Sequence, residues 1–249
     1  MTTFDHLLPP QPYPLAFATV SGAHLYGFPS VDSDVDIRGM HILPVESVIG
    51  LDQGPETVQH MGIHDGIEVD LVTHDLLKFC RLLVKNNGYV AEQLLSPLVI
   101  ETSEAHRELV ILAPRCLTRH HVHHYLGFAA TQWRLFESTR ELKPALYTLR
   151  VLLTGIHLMG TGEVVADLRQ LWHDHDLRYV PDLIAAKREG EHRQLERIVT
   201  AEALGADVER LRGRLTQAAE DTRLPVAPDR AAVNDFVIRT RRANLPMVG

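Results

Sequence analysis

The chain has few of the features that mark secreted, membrane-bound or disulfide-stabilised proteins. It holds two cysteines in 249 residues, Cys80 and Cys116, in apolar or helical contexts without metal-like spacing. Buried thiols in a reducing cytoplasm are therefore the expectation, in preference to a disulfide. No run approaches the roughly 18 apolar residues that a membrane span needs. Residues 1–6 have no basic or apolar region of a signal peptide, so we expect a cytoplasmic protein with no membrane partner.

Lysine is also scarce, with 4 Lys against 21 Arg, and the net charge is −7. This charge argues against a protein that coats nucleic acid nonspecifically. The charge is uneven, because residues 1–115 hold 6 basic and 15 acidic residues, whereas residues 116–249 hold 19 and 17. The sequence contains no G-x-S-x-G motif, no Walker loop and no cysteine-based zinc motif. A hydrophobic content of 45% is enough for one large domain or two small ones.

The pair Asp34 and Asp36 is the first candidate for chemistry. Residues i and i+2 of a strand share one face, so on a strand over residues 35–43 the two carboxylates are expected to point the same way. Adjacent carboxylates repel unless a cation lies between them, and Mg²⁺ takes oxygen ligands of this kind. One D-x-D is also compatible with a solvated turn.

Three further features favour a site over a solvated turn. A short apolar run, residues 15–20, is typical of a buried strand that leads into the segment. Gly22 and Gly27 allow a ligand to approach the backbone closely. A third acid, Asp70, lies in the alternating run at residues 67–72, where a strand would bring it to the same sheet.

Together these motifs resemble the DNA polymerase beta-like nucleotidyltransferase superfamily, and more closely its RlaP-type branch, which is linked to RNA repair. That branch has a G-S-x-x-Y-G turn, an S-D-x-D-x-R-G strand and a K-x-x-x-Y-x-L-R helix. The counterparts here are residues 22–27, 33–39 and 143–150, and the segments 85–88 and 92–97 are also similar. One departure is Ala23, where the family usually has Ser. Its amide is retained, and Ser21 could supply a hydroxyl in a different register.

The resemblance implies a magnesium-dependent transfer of an NMP from an NTP to a hydroxyl acceptor. Asp34, Asp36 and Asp70 would be catalytic and would hold two Mg²⁺ ions, with Mn²⁺ as a substitute, and Asp70 would lie nearest the attacking hydroxyl. The implied nucleotide contacts, for ATP or another NTP, are Ser21, Gly22, Ala23, Tyr26, Gly27, Arg38, Lys143, Tyr147 and Arg150. Arg38 could instead neutralise the acidic cluster. Lys143, Tyr147 and Arg150 share a helix face by their spacing, which also fits an amphipathic stripe.

The element pattern predicts an α+β fold. Strands are expected near residues 15–21, 35–43, 56–61 and 67–73, with a hairpin turn at 64–66. Helices are expected near 44–49, 76–84, 88–95, 103–114, 117–139, 143–159, 163–173, 181–187, 190–199, 202–221 and 228–242. The resulting architecture is a polymerase beta-like nucleotidyltransferase palm, a mixed sheet with flanking helices in residues 1–102, followed by an all-helical C-terminal domain in residues 103–249. The palm would carry the metal site, and the helical domain would complete the nucleotide and acceptor cleft.

The acceptor stays open at the level of sequence. RNA, such as a tRNA or a broken RNA end, follows from the RlaP likeness, and the basic segment 239–242 is a modest candidate for RNA contact. The alternatives are a small-molecule acceptor, a protein side chain that becomes AMPylated, a hydrolase, and a non-catalytic nucleotide-binding regulator. The histidines at 120–124 have a spacing seen in some zinc sites but no completing Glu, so we expect no metal there. The oligomeric state is unknown.

Overall fold

The computed structural model describes residues 4–190 and 195–244, which fall into two compact units. The sheet unit comprises Met1–Gly22, Asp34–Cys116 and Ala227–Gly249. The helical unit comprises Ala23–Ser33 and Leu117–Val226. None of the described helices combines the length and the apolar character that crossing a membrane requires.

A five-stranded mixed sheet forms the centre of the sheet unit, in the order β3-β4-β2-β1-β5. β2 and β4 are parallel, and the other neighbouring strands are antiparallel. The strands are β1 (Leu15–Val20), β2 (Val35–His41), β3 (Thr57–His64), β4 (Ile67–Asp75) and β5 (Val99–Thr102). The four predicted strands are thus confirmed, and β5 was not predicted.

The two faces of the sheet differ because alternate residues of a strand point to opposite sides. Val35 and Ile37 of β2, with Val69 and Leu71 of β4, are buried in one apolar cluster with Leu7. The residues between them, including Asp36 and Asp70, therefore lie on the opposite face. The hairpin between β3 and β4 turns at Asp65 and Gly66, with φ of 50° and 80°, as expected for a two-residue turn of this type.

Short helices surround the sheet, and most begin at a polar cap. They are α2 (Glu46–Ile49), α3 (Leu76–Leu83), α4 (Gly88–Leu94), α5 (Glu104–Leu112) and α12 (Arg230–Ala243). Side chains of Asp75, Asn87, Ser103 and Asp229 accept backbone hydrogen bonds at the starts of α3, α4, α5 and α12. These bonds satisfy N–H groups that a helix leaves without partners. Asn87 thus begins α4 only a few residues after α3 ends.

The helical unit is built around one buried helix. Its helices are α6 (His121–Thr139), α7 (Leu142–Thr161), α8 (Leu168–Leu171), α9 (Val180–Arg188), α10 (Leu195–Ile198) and α11 (Ala201–Asp221). α7 packs against α6, α8, α9 and α11. A further helix, α1 (Gly22–Tyr26), spans the junction of the two units in the chain.

One predicted helix is shorter than expected, and another lies partly outside the described residues. Only α8 lies within the predicted helix at 163–173, where two adjacent valines, Val164 and Val165, weaken helix propensity. The predicted helix at 190–199 is described only from residue 195, and residues 191–194 lie outside the described residues.

The mixed sheet with its flanking helices and the helical unit confirm the predicted α+β class. The sheet unit includes α5 and α12, which a division at residue 102 assigns to the helical domain. α12 packs against α3 and α5. Packing therefore groups α12 with the sheet, although in the chain it follows the long segment of the helical unit, Leu117–Val226.

Candidate active site

The parallel pairing of β2 and β4 brings two of the predicted catalytic residues together. In the register of these strands, Asp36 lies directly beside Asp70. Both are partly buried, with side chains 20% and 21% exposed. Neighbouring strands lie about 4.8 Å apart, so the two carboxylates project side by side from the polar face of the sheet.

Arg38 lies between these carboxylates. Its Nη2 donates to Asp36 Oδ1 at 2.6 Å and to Asp70 Oδ2 at 2.8 Å. Its Nη1 donates to two backbone carbonyls, of Asp70 at 2.5 Å and of Ile37 at 3.0 Å. Tyr89 on α4 lies close enough to Arg38 to contribute to its raised pKa.

Arg38 stays protonated and positively charged in this environment. Burial is the largest influence and opposes the charge, but Tyr89, Asp36 and Asp70 together outweigh it and raise the pKa of Arg38. Arginine is already ionised at all ordinary pH values. The site is therefore a carboxylate pair neutralised in part by an internal guanidinium.

The donor atoms suit a hard divalent cation, although the three aspartates do not form one cluster. Asp70 Oδ1 is buried and has no hydrogen-bond partner, which leaves one carboxylate oxygen available as a ligand. Asp34 is exposed and precedes β2, which begins at Val35. Across residues 4–190 and 195–244, no three His, Cys, Asp or Glu side chains are grouped as a metal site requires. The metal-binding roles of Asp34, Asp36 and Asp70 stay predictions.

Gly22 lies against Asp36. Its φ is +60°, and a Cβ built on it would lie 1.8 Å from Asp36 Oδ2. The neighbouring Ser21 donates its amide to the carbonyl of Asp36 at 2.8 Å, while its own hydroxyl is buried without a partner. The segment at 22–27, expected to be a turn, is instead the short helix α1 followed by Gly27.

In the helical unit, the end of this segment packs tightly. Ala23 is buried and its carbonyl accepts the amide of Phe28 at 3.1 Å. Gly27 has φ of +87°, and a Cβ there would lie 2.2 Å from Asp167 Oδ1. The glycine is therefore required for packing against the start of α8.

The residues of the predicted binding face of α7 differ in their exposure to solvent. Arg150 is 1% exposed and lies 3.8 Å from the ring centre of Tyr26. The rings of Tyr26 and Tyr147 meet edge to face, with centres 5.5 Å apart. Lys143 is exposed. The structure thus brings Tyr26, Tyr147 and Arg150 together within the helical unit, and leaves Lys143 on its surface.

One neighbour of Arg38 was not predicted. Tyr89 was not connected with Arg38, because no local pattern joins a residue of α4 to a residue of β2.

The basic segment 239–242 was considered for RNA, but two of its arginines form internal ion pairs. Arg239 pairs with Asp235 at 2.7 Å and with Glu108, and Arg241 pairs with Asp75.

The chain is similar to two proteins of distant organisms. It is 34% identical over 157 residues to the uncharacterized protein MJ0002 of Methanocaldococcus jannaschii, covering 61% of this chain and 63% of that protein. The chain therefore matches a little under two thirds of that relative's length. It is 27% identical over 194 residues to the uncharacterized protein YcgL of Bacillus subtilis, covering 73% of each.

A nucleotidyltransferase-like protein from Exiguobacterium sibiricum is a structural neighbour with a TM-score of 0.31 and 15% identity, over 93% of this chain and 75% of that one. The model of the family RlaP, "RNA repair pathway DNA polymerase beta family", matches residues 2–239. This family match agrees with the resemblance that the motifs carry. Because the match extends over nearly all of its length, the chain belongs to the RlaP family.

Proposed function

We propose that this protein transfers an NMP from an NTP to a hydroxyl acceptor and releases pyrophosphate, with a divalent metal ion. The observation that carries the proposal is the pairing of Asp36 with Asp70 on adjacent parallel strands, with one buried carboxylate oxygen left without a partner. Arg38 neutralises this pair only in part, so the site can take a further cation, and the family description supports the reaction class.

Asp34, Asp36 and Asp70 would hold the metal, expected as two Mg²⁺ ions with Mn²⁺ as a substitute. A bound ion of this kind stabilises charge on the attacking and leaving oxygens of a phosphoryl transfer. The acceptor oxygen would form a bond to the α-phosphorus as the bond to the β-phosphate oxygen breaks. Asp70 would lie nearest the acceptor hydroxyl and would either lower its pKa through the metal or accept its proton, with Oδ1 as the oxygen that has no hydrogen-bond partner among the described residues.

The nucleotide contacts are proposed from the family motifs. In the sheet unit they are Ser21, Gly22 and Arg38, and in the helical unit Ala23, Tyr26, Gly27, Lys143, Tyr147 and Arg150. For Arg38, the contacts with Asp36 and Asp70 favour the alternative role of neutralising the acidic cluster. Ser21 is fully buried, so its amide and hydroxyl would stabilise the site from the protein interior and would not face solvent.

RNA is the proposed acceptor, because the family description names an RNA repair pathway. A small molecule or a protein hydroxyl would be served by the same chemistry, since a fold alone does not determine the acceptor.

Cys80 and Cys116 are both free and buried. Burial raises the pKa of both thiols, that of Cys116 to about 11, so both thiols are protonated and unreactive at neutral pH.

The experiment is an acceptor screen with four α-labelled NTPs and Mg²⁺, against total cellular RNA and total protein. We expect label in RNA with the wild-type chain and a loss on the order of 100-fold or more with Asp36→Asn, because the metal contributes several kcal/mol of charge stabilisation. Glu68→Gln, an exposed acid on the same strand as Asp70, is the matched control and should retain activity. Label in protein would indicate that the acceptor is a protein side chain and not RNA.

Two results would contradict the proposal. The first is undiminished transfer by Asp36→Asn, which would remove the carboxylate pair from the chemistry. The second is an absence of transfer to RNA, to protein or to a panel of small-molecule alcohols, with NTP still bound. That result would favour a nucleotide-binding regulator on the same fold.

A further inference from the structure

We propose that Arg38 is a positioning residue, a built-in counter-ion that holds Asp36 and Asp70 together without metal and competes with a divalent cation for them. The inference rests on the proposed function, because it concerns the same carboxylates. It assigns Arg38 a role in the affinity of the site for metal, in place of a contact with the nucleotide.

The hydrogen bonds of Arg38 are the first support. Nη2 donates to one oxygen of each carboxylate, at 2.6 and 2.8 Å, so a single nitrogen occupies the position between them. Nη1 is held by the carbonyls of Ile37 and Asp70, which stay in place whatever the carboxylates do. The guanidinium is thus anchored to the backbone of β2 and β4 and is directed at the acidic pair.

The same contacts argue against a direct role in triphosphate binding. A guanidinium has five N–H donors. Four hydrogen bonds to protein oxygens are made by Nη1 and Nη2, and Tyr89 forms another contact. These contacts leave at most one of the five donors for a phosphate oxygen. The side chain is also only 12% exposed, so little of it faces solvent.

Electrostatics determine what Arg38 does for the metal-free protein. Asp36 and Asp70 lie directly opposite each other in the strand register, and both are mostly shielded from water. Two such carboxylates cannot both remain ionised at low cost without a nearby cation. Arg38 supplies that charge, so the site can fold before metal arrives.

A metal ion must then share or replace this partner. An ion held by both Asp36 and Asp70 would compete with Nη2 of Arg38 for their oxygens. An ion that approaches Asp70 through the unpartnered Oδ1 would still bind a carboxylate whose charge Arg38 partly neutralises. Either arrangement places two cations at one carboxylate, so each weakens the binding of the other.

The test measures metal binding and folding without nucleotide. Full-length wild type, Arg38→Met and Arg38→Lys are titrated with Mn²⁺, and free Mn²⁺ is followed by electron paramagnetic resonance. Thermal unfolding is recorded in EDTA and in Mn²⁺. Arg81→Met is the matched control, since Arg81 belongs to the sheet unit but is 57% exposed and lies 3.5 Å from Glu56.

We expect Arg38→Met to bind Mn²⁺ about tenfold or more tightly than wild type, because a neighbouring positive charge has been removed. Its Tm should fall in EDTA, and Mn²⁺ should raise that Tm more than it raises the wild-type value. Arg38→Lys keeps the charge but cannot satisfy four acceptors, so its affinity should lie between the two. Arg81→Met should resemble wild type in both measurements.

Equal or weaker Mn²⁺ binding by Arg38→Met would overturn the inference, and so would a failure of both proteins to bind. If Arg38→Met does not fold, the test passes to Arg38→Lys, and an affinity no higher than wild type would overturn it. Label transfer by the wild-type chain is scored separately. Transfer without the affinity change refutes only the role of Arg38, whereas the affinity change without transfer refutes only the proposed function.

Discussion

At the residue scale, Gly22 has two constraints that only glycine satisfies. Its φ of +60° lies in the left-handed region, which costs an ordinary L-residue about 1–2 kcal/mol. In addition, a Cβ would overlap Asp36 Oδ2 at 1.8 Å. Asp36 cannot easily move away, because Arg38 holds its other oxygen at 2.6 Å. Packing and backbone conformation therefore both require glycine beside the carboxylate.

Gly22→Ala should abolish nucleotidyl transfer and should destabilise the protein by more than the backbone term alone. Gly66→Ala is the matched control. Gly66 has φ of +80°, but a Cβ there would meet nothing within 4 Å, so only the cost of about 1–2 kcal/mol applies. Urea unfolding and label transfer measure both effects. Equal losses of stability in the two variants, with transfer retained in Gly22→Ala, would show that the clash with Asp36 is relieved at no cost.

The sequence predicted the carboxylates of this site better than their surroundings. Alternation along a strand was sufficient to place Asp36 on one face and Asp70 on the same sheet. The direct pairing of Asp36 with Asp70, which are 34 positions apart in the chain, depends on the register of two strands. Periodicity within one strand does not contain that register. For the same reason the contacts of Arg38 with both strands, and with Tyr89, could not be predicted.

At the element scale, one ion pair ties the C-terminal helix to the sheet. Arg241 of α12 donates to both oxygens of Asp75, at 2.6 and 2.5 Å, and to the carbonyl of Leu43 at 2.7 Å. Asp75 also caps α3 and accepts the amide of Leu43. The side chains of Arg241 and Asp75 are only 12% and 3% exposed. The sheet, α3 and α12 therefore converge on one buried carboxylate.

Arg241→Met should lower the free energy of unfolding by about 3 kcal/mol, because it leaves the charge of Asp75 buried without its cation. Arg239→Met on the same helix is the control. Arg239 pairs with Glu108 and Asp235 but is half exposed, and exposed pairs contribute little. Chemical denaturation of both variants gives the comparison. A loss for Arg241→Met no larger than that for Arg239→Met would contradict the stabilising role of the buried pair.

The missed strand β5 shows what limits prediction at this scale. It has four residues, Val99–Thr102, and its burial shows no alternation between faces. It lies at the edge of the sheet and pairs only with β1. A segment so short carries too little periodic signal to be distinguished from a loop. The long helices α6, α7 and α11 were predicted because their apolar period repeats over several turns.

At the scale of the whole molecule, buried histidines are expected to make stability sensitive to acid. Within the helical unit, burial lowers the pKa of His121 to about 4, with smaller contributions from His124 and His120. Burial and the charge of Arg150 lower the pKa of His124 to about 4. His121 Nδ1 lies 3.2 Å from the amide nitrogen and 3.1 Å from the carbonyl oxygen of Thr118, so it accepts or donates according to the tautomer of the ring. Both histidines thus prefer to be uncharged in the folded chain.

The free energy of unfolding should therefore fall as the pH is lowered from about 6.5 to about 4. Over that range the unfolded chain binds protons that the folded chain does not, so stability is fully present above the unfolded pKa and is lost below it. The slope is about 1.4 kcal/mol per pH unit for each such histidine. Denaturation at pH 7, 5.5 and 4.5 measures it. His121→Gln should reduce the slope, whereas His123→Gln, at an exposed position of the same helix, should leave it unchanged. An unaltered slope in His121→Gln would assign the acid sensitivity to other groups.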